Sequence, residues 1–358
     1  MASVPAAMEK YLDVIKHNND GSVIFGASGL TGRYWAGSLW FYKDPSFAPD
    51  IMKCSAGVAT EAGVADLEWI DDTRLALASD SGAIEVWQLV DNQTSFKNLF
   101  NLYEHDNSAS SVSLNMKKNK AASGSADMSV KVWNLDSQTS TNTYRIHIDT
   151  VCCVTWSKAS NDVFLSCSQD GKCILWDTRK AKPASYVVKN DRYMSAAPVC
   201  AAWQPDSQNI AAIGMETGQL LVKDMRHLGE TVTEKMVHNR SVSRLAFSPK
   251  YSHWLASVSD DCTVALTDIT QAAKTIYRSR VHKDFVRGLS WSPLDNTLLT
   301  CGWDSKVHQH SFMPETLATD GLVSPMAMDT NGEMMELYSN KLKNIGSPTR
   351  YSGRTIQA

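Results

Sequence analysis

The sequence predicts an all-β chain, a seven-bladed β-propeller of four-stranded antiparallel blades. Three observations predict it. One phrase recurs seven times, the spacing between its copies barely changes, and a second strand-like run precedes most copies.

The phrase is a short apolar run ending in a small residue, then a tight turn often carrying Asp, then an alternating strand. It reads LALASDSGAIEVWQL at 75–89, AASGSADMSVKVWNL at 121–135 and FLSCSQDGKCILWDT at 164–178. Weaker copies are AAIGMETGQLLVKDM (211–225), LASVSDDCTVALTDI (255–269) and LLTCGWDSKVHQHSF (298–312). A seventh, SVIFGAS…AGSLWFYKD, has a longer turn. Aligned on the residue that is Trp in the best copies, the series is Tyr42, Trp87, Trp133, Trp176, Lys223, Thr267 and His310. Its separations are 45, 46, 43, 47, 44 and 43 residues, a constancy that insertions would have scattered.

The second run is often finished by an aromatic residue and a polar turn: VADLEW (64–69), VCCVTW (151–156), VCAAWQP (199–205), VSRLAFSP (242–249) and VRGLSWSP (286–293). Turn signals every 8–12 residues and the absence of a competing helical stripe make each unit four antiparallel strands. Such a unit cannot bury both faces alone, whereas seven packed radially can. The expected organisation is an N-terminal extension at 1–7, the propeller at 8–312, and a C-terminal segment at 313–358. That segment holds five of the fourteen Met, and is expected to supply part of a ring-closing strand and otherwise a flexible tail. Its Ser347-Pro348 is a minor candidate for phosphorylation.

With 358 residues, 43% apolar and 20% charged, the chain has ample material for a core and is not broadly disordered. A net charge of −3 lacks the basic excess of a nucleic-acid binder, and no direct nucleic-acid contact is expected. No signal-peptide core and no run of 18 apolar residues occurs, so neither that secretion route nor a membrane is expected. The eight cysteines form no CxxC pair and fall mostly in strand-like runs, which reads as reduced thiols of a cytosolic or nuclear protein.

Residues 22–32, SVIFGASGLTG, imitate a nucleotide-binding glycine loop through Gly26, Gly29 and Gly32. That loop must open a helix within a βαβ unit, and here an aromatic strand-like run follows. No cofactor is expected, and no catalytic, cofactor-binding or metal-ligating residue is assigned. What the segment offers is an enlarged hairpin loop from Ser28 to Gly37, carrying Arg33, Tyr34 and Trp35 between glycines. Trp, Tyr and Arg are the types most enriched in binding hot spots. The turn between a blade's second and third strands lies on the same face as the connection into its first. In blade seven those places hold Trp303, where other blades have Ala126, Gln169 and Asp260, and Phe285, where others have Thr150 and Ser241. Ring closure sets blade seven beside blade one. Arg33, Tyr34, Trp35, Phe285 and Trp303 are therefore expected to form one partner-binding patch.

The repeat resembles that of WD-repeat proteins, with Trp133 and the Trp176-Asp177 pair at the Trp-Asp position and the other copies degenerate there. His105, His147, His238 and His282 stand at the family's histidine position, followed by Asp127, Asp170, Asp261 and Asp304 in the next hairpin turn. Four residues before each Asp is a hydroxyl: Ser123, Ser166, Ser257 and Thr300. The resemblance implies that these residues and the Trp form hydrogen-bonded chains within blades, since a half-buried turn carboxylate needs donors. Ser, His and Asp together suggest a hydrolase. Four copies at blade spacing argue for architecture instead, because a nucleophilic triad is one activated site. The chain is read as no enzyme.

Four phrases carry a closer likeness: GASGLTGRYWAGSLWFYKDP, CSAGVATEAGVADLEW, LASDSGAIEVWQL and HKDFVRGLSWSPL. They resemble the methylosome protein 50 family of WD-repeat subunits. That resemblance implies a non-catalytic scaffold of cytoplasm and nucleus. Its partner would be the type II protein arginine methyltransferase, in a hetero-octamer with four copies of each. It would help present Sm proteins and histones H2A and H4 for symmetric dimethylation. Surface carboxylates such as Glu61, Asp71, Asp72 and Asp106 would suit basic substrates, although each read singly is an ordinary solubilising charge. The alternative is a WD-repeat scaffold for another partner, such as a ubiquitin ligase or a chromatin complex.

Overall fold

Short apolar runs bounded by turn residues become 27 strands in the computed structural model, which describes residues 5, 7–31, 34–180, 184–189 and 196–312. Blade one is β1 (Tyr11–His17), β2 (Val23–Thr31), β3 (Tyr34–Tyr42) and β4 (Ala56–Thr60). Blade two is β5 (Val64–Trp69), β6 (Arg74–Ser79), β7 (Ala83–Val90) and β8 (Ser95–Tyr103). Blade three is β9 (Ala109–Leu114), β10 (Lys120–Ser125), β11 (Val130–Asn134) and β12 (Thr139–Tyr144). Blade four follows as β13 (Val151–Trp156), β14 (Val163–Ser168), β15 (Lys172–Asp177) and β16 (Ala184–Lys189). Blade five is β17 (Pro198–Trp203), β18 (Ile210–Met215), β19 (Gln219–Asp224) and β20 (Thr233–Met236). Blade six is β21 (Val242–Phe247), β22 (Trp254–Ser259), β23 (Val264–Asp268) and β24 (Lys274–Ser279). Blade seven has β25 (Val286–Trp291), β26 (Thr297–Gly302) and β27 (Val307–Ser311). All neighbours pair antiparallel in chain order. The fourth strand of blade seven, expected from 313–358, falls outside the described residues.

The ring closes through the first strands. Each of β1, β5, β9, β13, β17 and β21 packs against the next, and β25 packs back onto β1. Stacked sheets bury both faces of their inner strands, so β22 is buried throughout, while the polar outer strand β20 is largely exposed. Apolar clusters fill each gap between blades. The seam between blades seven and one is filled by Leu12, Ile15, Phe25 and Trp40 against Leu299, Cys301 and Val307.

A feature common to the blades shapes the channel mouth. In each first strand the pairing skips one residue: Asp13, Ala65, Ser110, Cys152, Val199, Ser243 and Arg287. These bulges twist the strand and free one side chain per blade. All seven line a single cavity of about 1120 Å³ at one end of the channel. Their only charges are Asp13 and Arg287, on the two blades that meet at the seam.

Candidate interaction surface

Blade one does not carry a loop from Ser28 to Gly37. Its hairpin runs on as a two-stranded ribbon, with Ser28 opposite Gly37, Gly29 opposite Ala36, Leu30 opposite Trp35 and Thr31 opposite Tyr34. Regular antiparallel pairing satisfies the backbone where an open loop of ten residues would leave it to solvent. The glycines supply clearance. A side chain at Gly26 would collide with Val14 and Val64, and one at Gly37 with the Ala62 carbonyl and the Thr60 hydroxyl. No helix follows Gly29, because the chain turns straight back into β3.

Directly opposed residues share a face of the ribbon. Leu30 and Trp35 are opposed in this way, and they stay 57% and 41% exposed, large for apolar side chains. Arg33 lies outside the described residues, as does the side chain of Tyr34. From Trp35 a row of rings crosses the seam. Trp35 lies 5.9 Å from Tyr11, Tyr11 lies 4.8 Å from Trp303, and Trp303 lies 5.4 Å from Phe285. The Arg287 guanidinium sits over Trp303 at 4.8 Å and over Phe285 at 5.7 Å, and Arg240 covers Phe285 at 5.4 Å.

The equivalence between blades is written in the backbone. The N–H of Trp303 donates to the Phe285 carbonyl, as Gln169 does to Thr150 and Asp260 to Ser241. Blade seven thus places two aromatic rings where other blades have polar or small residues. Sequence reasoning missed Tyr11 and Leu30. The first reads as an ordinary first-strand residue until the ring is closed, and the second needs the hairpin register.

Hydrogen bonds fix this surface to the seam. Trp303 Nε1 donates to Asp13 Oδ1 at 2.8 Å, the Ser28 hydroxyl donates to the same carboxylate, and Ser305 donates to the Lys10 carbonyl at 2.7 Å. Burial raises the Asp13 carboxyl above its ordinary value, against these bonds and the charge of Arg287. Burial also raises Asp80 on the same cavity wall. Below the mouth the channel is bridged by Arg244 of β21. It reaches Asp66 of β5 at 3.1 Å and the Ala65 carbonyl at 3.0 Å.

The Ser-His-Asp sets lie inside blades. In blade three the Asp127 carboxylate can only accept, so His105 Nδ1–H donates to it at 2.9 Å. The Ser123 hydroxyl then donates to His105 Nε2 at 2.7 Å, and Trp133 Nε1 donates to Ser123 at 2.8 Å. Blade four repeats the chain with Asp170, His147, Ser166 and Trp176 at 3.1, 2.7 and 2.8 Å. Burial opposes ionisation of Asp127 and Asp170, yet the donors around them hold both well below the usual carboxylate range.

In blade six, His238 bonds Ser257 at 2.7 Å and Thr263 at 2.8 Å, with Asp261 more distant at 3.4 Å. Thr267, at the Trp position, has a buried hydroxyl without a partner among the described residues. Blade seven keeps Asp304, His282 and Thr300, and substitutes another N–H for the indole. His310 Nε2 bonds Thr300 at 3.0 Å, and its Nδ1 meets the Tyr277 hydroxyl at 2.8 Å. In blades three, four and seven the hydroxyl is locked between two rings, and in blade six against one, which is packing architecture. Of the acidic surface residues, Asp71 is occupied by its own turn and Arg74, and Asp106 lies 3.9 Å from Arg145.

The fold and these blade-internal chains define a WD-repeat propeller. The WD domain, G-beta repeat model matches residues 96–134, 138–177, 229–268 and 273–311. Those segments end in blades three, four, six and seven, the four that carry the Asp-His-hydroxyl chains. The chain belongs to the family of the methylosome protein WDR77. It is 38% identical to that protein of Xenopus laevis over 328 residues, 91% of this chain and 97% of the relative. It is 25% identical to the protein valois of Drosophila melanogaster, over 84% of this chain and 85% of that one. It is also 25% identical to a ribosome biogenesis protein WDR12 homolog of Trichoplax adhaerens, over 65% of this chain and 60% of that one.

Proposed function

We propose that this chain is the non-catalytic WD-repeat scaffold of a methylosome. Its type II protein arginine methyltransferase docks on the ring row that crosses the seam. The observation that carries the reading is the continuity of Trp35, Tyr11, Trp303 and Phe285 at one edge, with Trp35 and Leu30 projecting from a ribbon. Large apolar side chains clustered in this way mark protein interfaces, and Trp is the strongest single anchor. The family's association with a methylosome supplies the partner. In this reading the assembly is a hetero-octamer, four of each subunit, and the propeller's remaining surface holds Sm proteins and histones H2A and H4 near the enzyme.

The test is Trp35→Ala in the full chain, with binding to the purified methyltransferase measured by titration. Truncating a central anchor costs about 2 kcal/mol or more, a weakening of about 30-fold or greater. The variant is expected to keep the wild-type melting temperature, because Trp35 is 41% exposed and, among the described rings, packs on Tyr11. Undiminished affinity in Trp35→Ala and in the Trp35→Ala, Phe285→Ala pair overturns the docking surface. Failure of the wild type to bind any arginine methyltransferase overturns the assignment of partner.

A further inference from the structure

Blade seven holds a cluster that the blade-internal chain does not use up. His282 Nδ1 and the Asp304 carboxylate are 3.0 Å apart, and the ring of His308 stands edge-on to His282 with centroids 4.6 Å apart. One ligand atom from each of His282, Asp304 and His308 falls within 4.8 Å of the others. His308 takes no part in the run from Asp304 through His282 and Thr300 to His310. Its Nε2 is buried without a hydrogen-bond partner among the described residues, a costly condition for a ring nitrogen.

This arrangement is peculiar to one blade. Four residues after the turn Asp, blades three, four and six have Lys131, Ile174 and Ala265. Blade seven alone sets a second imidazole there. Two imidazoles and one carboxylate are a borderline-soft donor set, suited to zinc and its transition-metal neighbours and poorly suited to calcium or magnesium.

We propose that His282, Asp304 and His308 bind a divalent transition metal ion, zinc by preference, as a structural site of the seventh blade. The ion takes the place of the proton that His282 Nδ1 and Asp304 share, and gives the lone pair of His308 Nε2 a partner. Tetrahedral ligands stand about 3.3 Å apart around zinc, close to the His282–Asp304 spacing already present. A modest rotation of half-buried His308 completes the set. The three ligands come from the connection into β25, the β26–β27 turn and β27 itself. The ion would therefore pin the elements that carry Phe285 and Trp303.

The experiment is titration of the chelator-treated full chain with zinc by calorimetry, and with cobalt(II) by visible absorption. One ion per chain is expected, with a melting temperature that rises with metal concentration. His308→Ala and His308→Gln should each weaken binding by about tenfold or more and abolish the thermal shift. Their circular dichroism should stay unchanged, since His308 lies outside the hydrogen-bonded chain. No binding by the wild type, affinity equal in the variants, or a cobalt spectrum showing thiolate charge transfer from the cysteines would each overturn the site.

Discussion

Arg244 and Asp66 meet across the channel from β21 and β5, and replacing Arg244 by Met tests whether that strut helps hold the ring. Two unit charges about 4 Å apart under protein-like screening attract by about 4 kcal/mol. Desolvation of both groups cancels much of that. Asp66 is not orphaned when the guanidinium leaves. It still accepts from the Ser111 hydroxyl at 2.9 Å, the Leu67 N–H at 3.0 Å and the Val112 N–H at 3.3 Å. Breaking an unsupported buried pair costs about 3–5 kcal/mol, so Arg244→Met should cost less, about 2 kcal/mol. Asp66→Asn should cost about 1 kcal/mol, because Arg244 keeps 24% side-chain exposure and turns to water. The double variant should then be less damaged than the sum of the singles, with a coupling of about 1–2 kcal/mol. Urea unfolding followed by tryptophan fluorescence reads all four proteins. Additivity within about 0.5 kcal/mol would refute the strut.

Three further outcomes follow from the chains and the seam. Trp133 is fully buried and its Nε1 donates to Ser123, so Trp133→Phe should destabilise by about 2–3 kcal/mol, read as a lower urea midpoint at unchanged slope. Thr267→Val, which removes a buried hydroxyl without a partner, should be neutral or stabilising by the same measurement. At the seam, the Ser290 hydroxyl accepts from the His17 backbone N–H at 2.9 Å and donates to His17 Nδ1 at 3.0 Å. Burial lowers this imidazole from 6.5 to about 4, against the pull of Asp295. The unfolded chain therefore takes up a proton first. His17's contribution is whole above pH 6.5 and is lost as pH falls toward about 4, by up to about 1.4 kcal/mol per pH unit. The His17→Asn profile should lack that slope, so that subtracting it from the wild-type profile isolates the slope, and equal slopes in the two proteins would contradict it.

The blade count was legible because seven copies of one phrase must make seven copies of one unit, and spacing survives where the Trp-Asp pair does not. Phe285 and Trp303 were legible as neighbours of Trp35 once ring closure was assumed. The rest depends on relations that no local pattern encodes. Tyr11 becomes part of the ring row only because β1 packs on β25, and Arg244 finds Asp66 across 178 residues of chain. His310 looks like a degenerate Trp in one dimension. In three it is another N–H donor to the equivalent hydroxyl, supported by Tyr277 from the outer strand of blade six. The ribbon from Ser28 to Gly37 was hidden by its glycines, which read as loop until the structure shows the Ala62 carbonyl and Thr60 crowding Gly37.

The seam also explains why the candidate surface lies where it does. A propeller whose ends meet at one interface is weakest there, because the covalent chain does not cross it. Here that interface is held by polar contacts between residues some 290 apart, Trp303 to Asp13 and Ser305 to Lys10, together with the Tyr11 ring lodged against Trp303. The same atoms form the floor of the row, in which Trp35 is exposed and Tyr11, Trp303 and Phe285 are half-buried. A partner that covers Trp35 and Tyr11 holds β1 against β25, so its binding energy opposes the opening by which the ring would begin to unfold. In the proposed docking, interface and closure share the same residues, and a substitution at Trp303 should weaken both, whereas one at Trp35 should weaken the interface alone.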